Sequence, residues 1–195
     1  EMIEQIVVSG FRGSLIKAKD LKKDALGSQD SILAEDIADF PSLNLAESIQ
    51  RIPGVTITRE AGEGRQISLR GLNADFTQVQ LNGMEALGTS SSAMDSRGTT
   101  NLSRSFDFNI FASELFNQID VQKSYSAEMD EGGIGGTVKL YTAKPFDYDG
   151  FKSVISAQAG DNSLTDDVAP RVAALVSNTW GDFGALVSLA LSKRD

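Results

Sequence analysis

The stretch Asn44-Leu45-Ala46-Glu47-Ser48-Ile49-Gln50-Arg51-Ile52-Pro53-Gly54-Val55-Thr56-Ile57-Thr58 carries two hydrophobic periods in succession. Asn44 is a good N-cap, and Glu47 stands at the third helical position, where it completes a capping-box-like pair. A helix over residues 45–51 follows. Pro53-Gly54 stops it, because proline cannot continue the hydrogen-bond ladder and glycine accepts a turn. From Val55 the apolar positions alternate, which is the period of a half-buried strand.

Downstream, the alternation resumes over residues 66–70 after a glycine-rich turn at 60–64. Residues 78–81 read as another strand, and Asn82-Gly83 is a strong hairpin signal. Residues 87–105 are rich in Gly, Ser and Thr and have no period. A loop of that length inside a compact domain is usually functional or mobile. Residues 111–116 predict a short helix, and 119–123 and 137–142 predict strands. Between those two strands, Glu131-Gly132-Gly133-Ile134-Gly135-Gly136 requires a tight backbone passage that only glycine allows. Upstream, residues 14–25 predict a Lys-rich helix with Leu15, Ala18 and Leu21 on roughly one face, ended by Gly27. A short strand is expected at 31–33, a helix at 34–39 stopping before Pro41, and an extended segment at 3–9.

The end of the chain has a different pattern. Residues 152–160, 171–181 and 183–192 are three strand-length runs, with turn signals at Asp161-Asn162 and Gly181-Asp182. In the third, Phe183, Ala185, Val187, Leu189 and Leu191 share one face, and mostly small or polar residues share the other. That dyad repeat fits an outer-membrane barrel strand. It fits an ordinary antiparallel meander equally well.

Composition narrows the chemistry. The chain has 195 residues, a net charge of −9, and neither Cys nor His. Disulfides, Cys/His zinc sites, cysteine nucleophiles and any triad with a His base are therefore excluded. The acidic balance argues against nucleic acid. No apolar run approaches the roughly 18 residues of a membrane-spanning helix, and the opening residues lack the basic start and apolar core of a secretory leader. Gly133-Ile134-Gly135-Gly136-Thr137-Val138 has Val where a dinucleotide fingerprint needs its third glycine. The adjacent acids (Glu35/Asp36, Asp130/Glu131, Asp166/Asp167) read as solvated surface groups, and Asp147-Tyr148-Asp149-Gly150 lacks the distal Glu of a calcium loop. Neither a catalytic residue, a metal site nor a cofactor is expected. Arg65 and Arg70 lie in or beside an apolar strand. A buried arginine there requires a carboxylate partner.

Taken in order, these segments resemble the TonB-dependent outer-membrane transporters. Glu4-Gln5-Ile6-Val7-Val8-Ser9-Gly10 resembles the energy-coupling box of that family, and residues 44–55 resemble the helix-turn-strand of its plug. Ile67-Ser68-Leu69-Arg70-Gly71-Leu72, Val79-Gln80-Leu81-Asn82-Gly83 and Ile119-Asp120-Val121-Gln122-Lys123 match successive plug strands. Glu131 to Val138 matches the plug's glycine-rich end. Each piece is short, and their order over residues 4 to 142 makes the resemblance specific. Asp75-Phe76-Thr77 and the Phe106-Asp107-Phe108 region point to a subset of the family often linked to oligosaccharide uptake.

The resemblance implies an α+β fold, a plug with a small mixed sheet and interspersed helices, followed by antiparallel strands that begin a 22-stranded barrel. Each barrel strand takes about 9–11 residues, so 151–195 holds only the first few. The implied division is an N-terminal extension with the coupling box at 1–13, the plug at 14–150 and barrel strands at 151–195. The implied partners are a TonB-type periplasmic energy-coupling protein at Glu4, Gln5, Ile6, Val7, Val8 and Ser9, the rest of the barrel, outer-membrane lipid, and a small-molecule or oligosaccharide ligand. Arg65 and Arg70 are expected to lock plug to barrel. Thr89, Ser90, Ser91, Asp95 and Arg97 are expected to contact ligand, and Gly71, Gly83, Gly132, Gly133, Gly135 and Gly136 to be structural. The runner-up is a soluble periplasmic or extracellular binding module that uses 87–105 as its ligand loop. A carboxylate hydrolase is third, with no pair of acids singled out by the sequence.

Overall fold

The computed structural model describes residues 11–33, 45–60, 63–86, 105–108, 115–127, 129–162 and 167–192. The extended segment expected at 3–9, the helix at 34–39 and most of the 87–105 loop lie outside them.

Helix α1 (Phe11–Asp24) leads into strand β1 (Gln29–Leu33), which forms one edge of a sheet. Its inward stripe is Ser14, Ala18, Leu21 and Ala25, all half-buried, whereas Leu15 is 54% exposed. Ala18 and Leu21 face inward as expected, and Ser14 takes the place expected of Leu15, because a turn of 3.6 residues groups 14, 18, 21 and 25. Helix α2 (Leu45–Ile49) ends two residues earlier than its pattern predicts. Glu47 does not serve only its own helix: its Oε1 accepts from Arg59 Nη1 at 2.8 Å. Asn44 lies outside the described residues.

Strands β2 (Val55–Glu60) and β3 (Glu63–Leu69) form an antiparallel hairpin. Then come a 3-10 turn at Ala74–Phe76, β4 (Thr77–Leu81) and the two-residue β5 (Met84–Glu85). Asn82 (φ 50°) and Gly83 (φ 85°) both take the left-handed conformation that a two-residue hairpin turn demands. Strand β6 (Phe116–Gln122) and β7 (Gly136–Thr142) complete a five-stranded sheet of order β1-β6-β7-β4-β5. β4 and β7 run parallel and the other pairs antiparallel, so the sheet is mixed.

Phe116 was expected in a helix, and it begins β6 instead. The β6–β7 register slips between Phe116 and Gln118, leaving Asn117 as an extra residue. That bulge brings Phe116 and Ile119, three apart, to the same buried side, so a strand imitates helical spacing.

The core lies where α2 and the β2–β3 hairpin meet one face of this sheet. Leu45, Ile49, Ile67, Leu69, Ile119, Val121, Val138 and Leu140 are buried there with Phe106, Phe108 and Phe116. The opposite face is polar and also largely covered: Gln78, Gln80, Asp120, Gln122 and Thr137 are each at most 9% exposed. Its groups satisfy one another in part. Gln118 Nε2 donates to both Asp120 oxygens, and Thr137 Oγ1 donates to Gln78 Oε1.

After a 3-10 turn at Pro145–Asp147, strands β8 (Lys152–Asn162), β9 (Asp167–Trp180) and β10 (Phe183–Ser192) form a separate antiparallel sheet of order β10-β9-β8. Asp161 and Asn162, expected to turn, extend β8 and pair with Val168 and Asp167. Gly181-Asp182 does turn. One face of the sheet holds Phe183, Val187, Leu189 and Leu191, all more than half exposed. On the other, Ala173, Leu175 and Ser177 are buried. The linker docks there, with Ser177 Oγ donating to the Pro145 carbonyl and Gly150 N–H to Thr179 Oγ1. These three strands do not by themselves close a barrel.

Candidate functional site

Strand β3 ends at Leu69. Arg70, expected inside the strand, leaves it at φ 54° and begins the turn completed by Gly71 (φ 77°). This conformation swings the guanidinium toward the glycine-rich passage, where Nε and Nη2 both donate to the Gly135 carbonyl at 3.3 and 3.1 Å. Gly135 N–H in turn donates to the carbonyl of Phe76. The Arg-Gly turn, the 3-10 turn and the passage are thus joined by backbone-directed bonds.

At Gly136 the glycine is obligatory on two grounds. Its φ is 136°, and an added Cβ would stand 2.6 Å from the Gln122 carbonyl oxygen and 2.8 Å from Leu69 Cδ1. Gly132 shares the positive φ, and Gly133 and Gly135 have backbone within about 3 Å of where a Cβ would sit.

Arg65 lies in β3, part-buried, with Nη1 3.6 Å from Asp107 Oδ2. The carboxylate it needs is thus supplied from within the chain. Beside it, the polar side of the hairpin forms an open groove of about 520 Å³ lined by Thr56, Thr58, Gln66, Ser68 and Asn73.

A second ionic centre sits at the sheet edge. Asp30 accepts from Lys123 at 2.5 Å and from Lys22 at 2.6 Å, and Lys123 also donates to the Pro53 carbonyl. Burial pushes the Asp30 carboxyl up, but the hydrogen bonds and charges of Lys123 and Lys22 outweigh it and hold the pKa below 3.8. Burial, then the charge of Asp120, pushes the Tyr141 phenol above its usual value.

Of the site residues expected from sequence, the structure brings together Arg70, Gly71, Gly133, Gly135 and Gly136. Arg65 sits apart, on Asp107, and Gly83 closes a different turn. Glu4 to Ser9, with Thr89, Ser90, Ser91, Asp95 and Arg97, lie outside the described residues. Sequence reasoning missed Lys123 and Asp107 as ionic partners. Asp107 had a readable signal, since an acid between two aromatics in a buried run has to find a cation. Lys123 had none. Among the described residues no helix is long and apolar enough to cross a membrane, which says nothing of strands.

The sequence model of the TonB-dependent Receptor Plug Domain matches residues 21–137. Among solved structures, a variant of the ferric enterobactin receptor from Pseudomonas aeruginosa aligns with a TM-score of 0.60 and 24% identity, over 84% of this chain and 24% of that one. The siderophore receptor PirA from Acinetobacter baumannii gives 0.58 and 24%, over 83% and 23%. The unliganded ferric citrate transporter FecA gives 0.66 and 20%, over 96% and 28%. The chain therefore spans about a quarter of the length of these receptors. No curated protein matches it significantly.

Proposed function

This chain belongs to the TonB-dependent receptor plug family, and from that premise we propose that it is the gate-bearing portion of an outer-membrane receptor for energised nutrient uptake. Members of the family are outer-membrane transport receptors. In this reading residues 1–13 are the coupling extension, 14–150 the plug, and 151–195 the first strands of the surrounding barrel.

The observation that carries the proposal is the β8–β10 sheet. It follows directly from a plug-like core, takes the linker against the face that holds Ser177 and Thr179, and turns Phe183, Val187, Leu189 and Leu191 outward. A soluble binding module would pay for such a face in aggregation, whereas lipid covers it at no cost. Arg70 is the proposed lock. In the assembled receptor a barrel-wall acid joins its guanidinium, and Arg70→Ala then leaves that acid unpaired, at about 3–5 kcal/mol if fully desolvated.

Residues 87–104, with Thr89, Ser90, Ser91, Asp95 and Arg97, form the ligand-facing loop in this proposal; Ser105, which the sequence reading included, is buried. Their hydroxyls and charges suit a polar, oxygen-rich ligand. Oligosaccharides have that chemistry. So do the ferric siderophores and ferric citrate named for the structural relatives, and the ligand class stays at that level. Replacing residues 89–94 by a short Gly-Ser linker should weaken binding of the transported nutrient, and unchanged affinity would remove the loop from the site.

Opening is driven by a TonB-type partner that pairs with Glu4 to Ser9 as an added edge strand. The β-branched Ile6, Val7 and Val8 favour that extended form. Val8→Pro deletes one N–H donor from the ladder. In the full-length receptor it should leave ligand binding intact and abolish energised uptake. Uptake at the wild-type rate would overturn the assignment.

A further inference from the structure

We propose that Arg65, Gln66 and Asp75 form a clamp on the buried segment 105–108, and that Arg65 is a positioning residue for the return of the 87–104 segment rather than a contact to the barrel wall. The register of the β2–β3 hairpin supplies the first observation. Thr58 pairs with Gln66 and Arg59 pairs with Gly64, so the register slips by one residue at Arg65. A bulge of this kind re-aims side chains. Here it lets two consecutive residues of β3, which would otherwise point to opposite faces, reach the same short segment.

Both contacts are made. Arg65 Nη1 lies 3.6 Å from Asp107 Oδ2, and Gln66 Nε2 donates to Ser105 Oγ at 2.8 Å. The third anchor is Asp75, whose Oδ1 accepts from the Ser105 N–H at 3.1 Å. Asp75 is itself held, because its own N–H donates to the Asn73 side chain at the start of the 3-10 turn.

The clamped segment is buried throughout: Ser105 1%, Phe106 5%, Asp107 6% and Phe108 1% exposed. The two phenylalanines meet edge to face, with ring centroids 4.9 Å apart, inside the core. Asp107 therefore enters the protein between two aromatic anchors, and an ionised carboxylate so placed requires a cation. The departing end is held by the same stretch of chain, since Ala86 N–H donates to the Val79 carbonyl. Both feet of the 87–104 segment thus stand on residues 75–79, and Arg65 fixes the returning one. The consequence for uptake rests on the proposed ligand-facing role of that segment; the clamp itself does not.

The test uses the full-length protein in detergent and reads amide hydrogen exchange by mass spectrometry. The variants are Arg65→Gln, Asp107→Asn, Gln66→Ala and the double charge swap Arg65→Asp with Asp107→Arg. Each single variant should speed exchange at 105–108 by about tenfold or more, while β6 and β7 keep their protection. The double swap should restore most of that protection, which generic loosening of the fold would not produce. Gln66→Ala removes one neutral hydrogen bond and leaves the core charge paired, so it stays informative if an arginine or aspartate variant does not fold. Unchanged exchange at 105–108 would overturn the clamp, as would equal loss in β6 and β7 without rescue by the swap. Neither result depends on the ligand, so failure of the ligand loop would appear separately, in the Gly-Ser replacement.

Discussion

The sheet β1-β6-β7-β4-β5 and the sheet β10-β9-β8 dispose of their apolar side chains in opposite ways. In the first, Ile119, Val121, Val138 and Leu140 are fully buried, and even the second face is polar and covered. In the second, Phe183, Val187, Leu189 and Leu191 point out, and Ala173, Leu175 and Ser177 are buried on the other face. Strand alternation is the same in both, because a side-chain period of two follows from the backbone. What differs is what covers each face. The first sheet makes its own core with α2 and the β2–β3 hairpin, whereas the second leaves an apolar face exposed, the face turned to lipid in the proposed receptor.

Truncation at the centre of the first region is the strongest way to test this contrast. Phe108→Ala should cost about 3–5 kcal/mol, read as a lower denaturant midpoint, whereas Phe183→Ala should leave that midpoint nearly unchanged. Comparable losses would mean that the two sheets share one core.

A charge on the outer face probes the second region directly. Val187→Arg should cost about 2–4 kcal/mol of insertion free energy near the bilayer midplane, measured by refolding into lipid vesicles. The plug's own midpoint should stay put. Normal insertion of the variant would place that face in water.

Within the first region, Gly136→Ala should cost about 1–3 kcal/mol in backbone strain, with the overlap against the Gln122 carbonyl added to it. Gly181→Ala, at the β9–β10 turn with nothing near its Cβ, carries strain alone and should cost less. If the two alanine variants were equally stable, close packing at the passage would not matter.

The smallest expected effect is at Asp30. Its folded pKa lies below 3.8, so the stabilisation from Lys123 and Lys22 is fully present above that pH and is lost as pH falls through the lower folded pKa. Lys123→Met should reduce stability by about 1–2 kcal/mol at neutral pH and flatten the acid limb of the stability curve. An unchanged acid limb would dismiss the pair as a contributor.

How much was legible in advance depended on the range of the interaction. Asn82-Gly83, the Pro53-Gly54 stop and the strands at 137–142 and 183–192 were readable because turn chemistry and period are local properties. Phe116 was misread because a bulge shifts the period by one residue, and nothing local to Phe116 announces the slip. Arg65 and Arg70 were recognised as important arginines, yet their partners, Asp107 and the Gly135 carbonyl, lie 42 and 65 residues away.

By itself, then, the sequence determined most of the strands and their order, the turn at Asn82-Gly83, and the family to which the ordered segments belong. Those features rest on short-range sterics and on side-chain periodicity, which every chain segment carries with it. The tertiary structure alone decided that β4 and β7 run parallel, that α1 turns Leu15 outward, and that Lys123 joins Lys22 on Asp30. It also decided that Arg65 answers to Asp107. Pairing of this kind is chosen by burial: a charge or a strand edge removed from water takes whichever partner the fold brings within reach, and that proximity is a property of the whole chain.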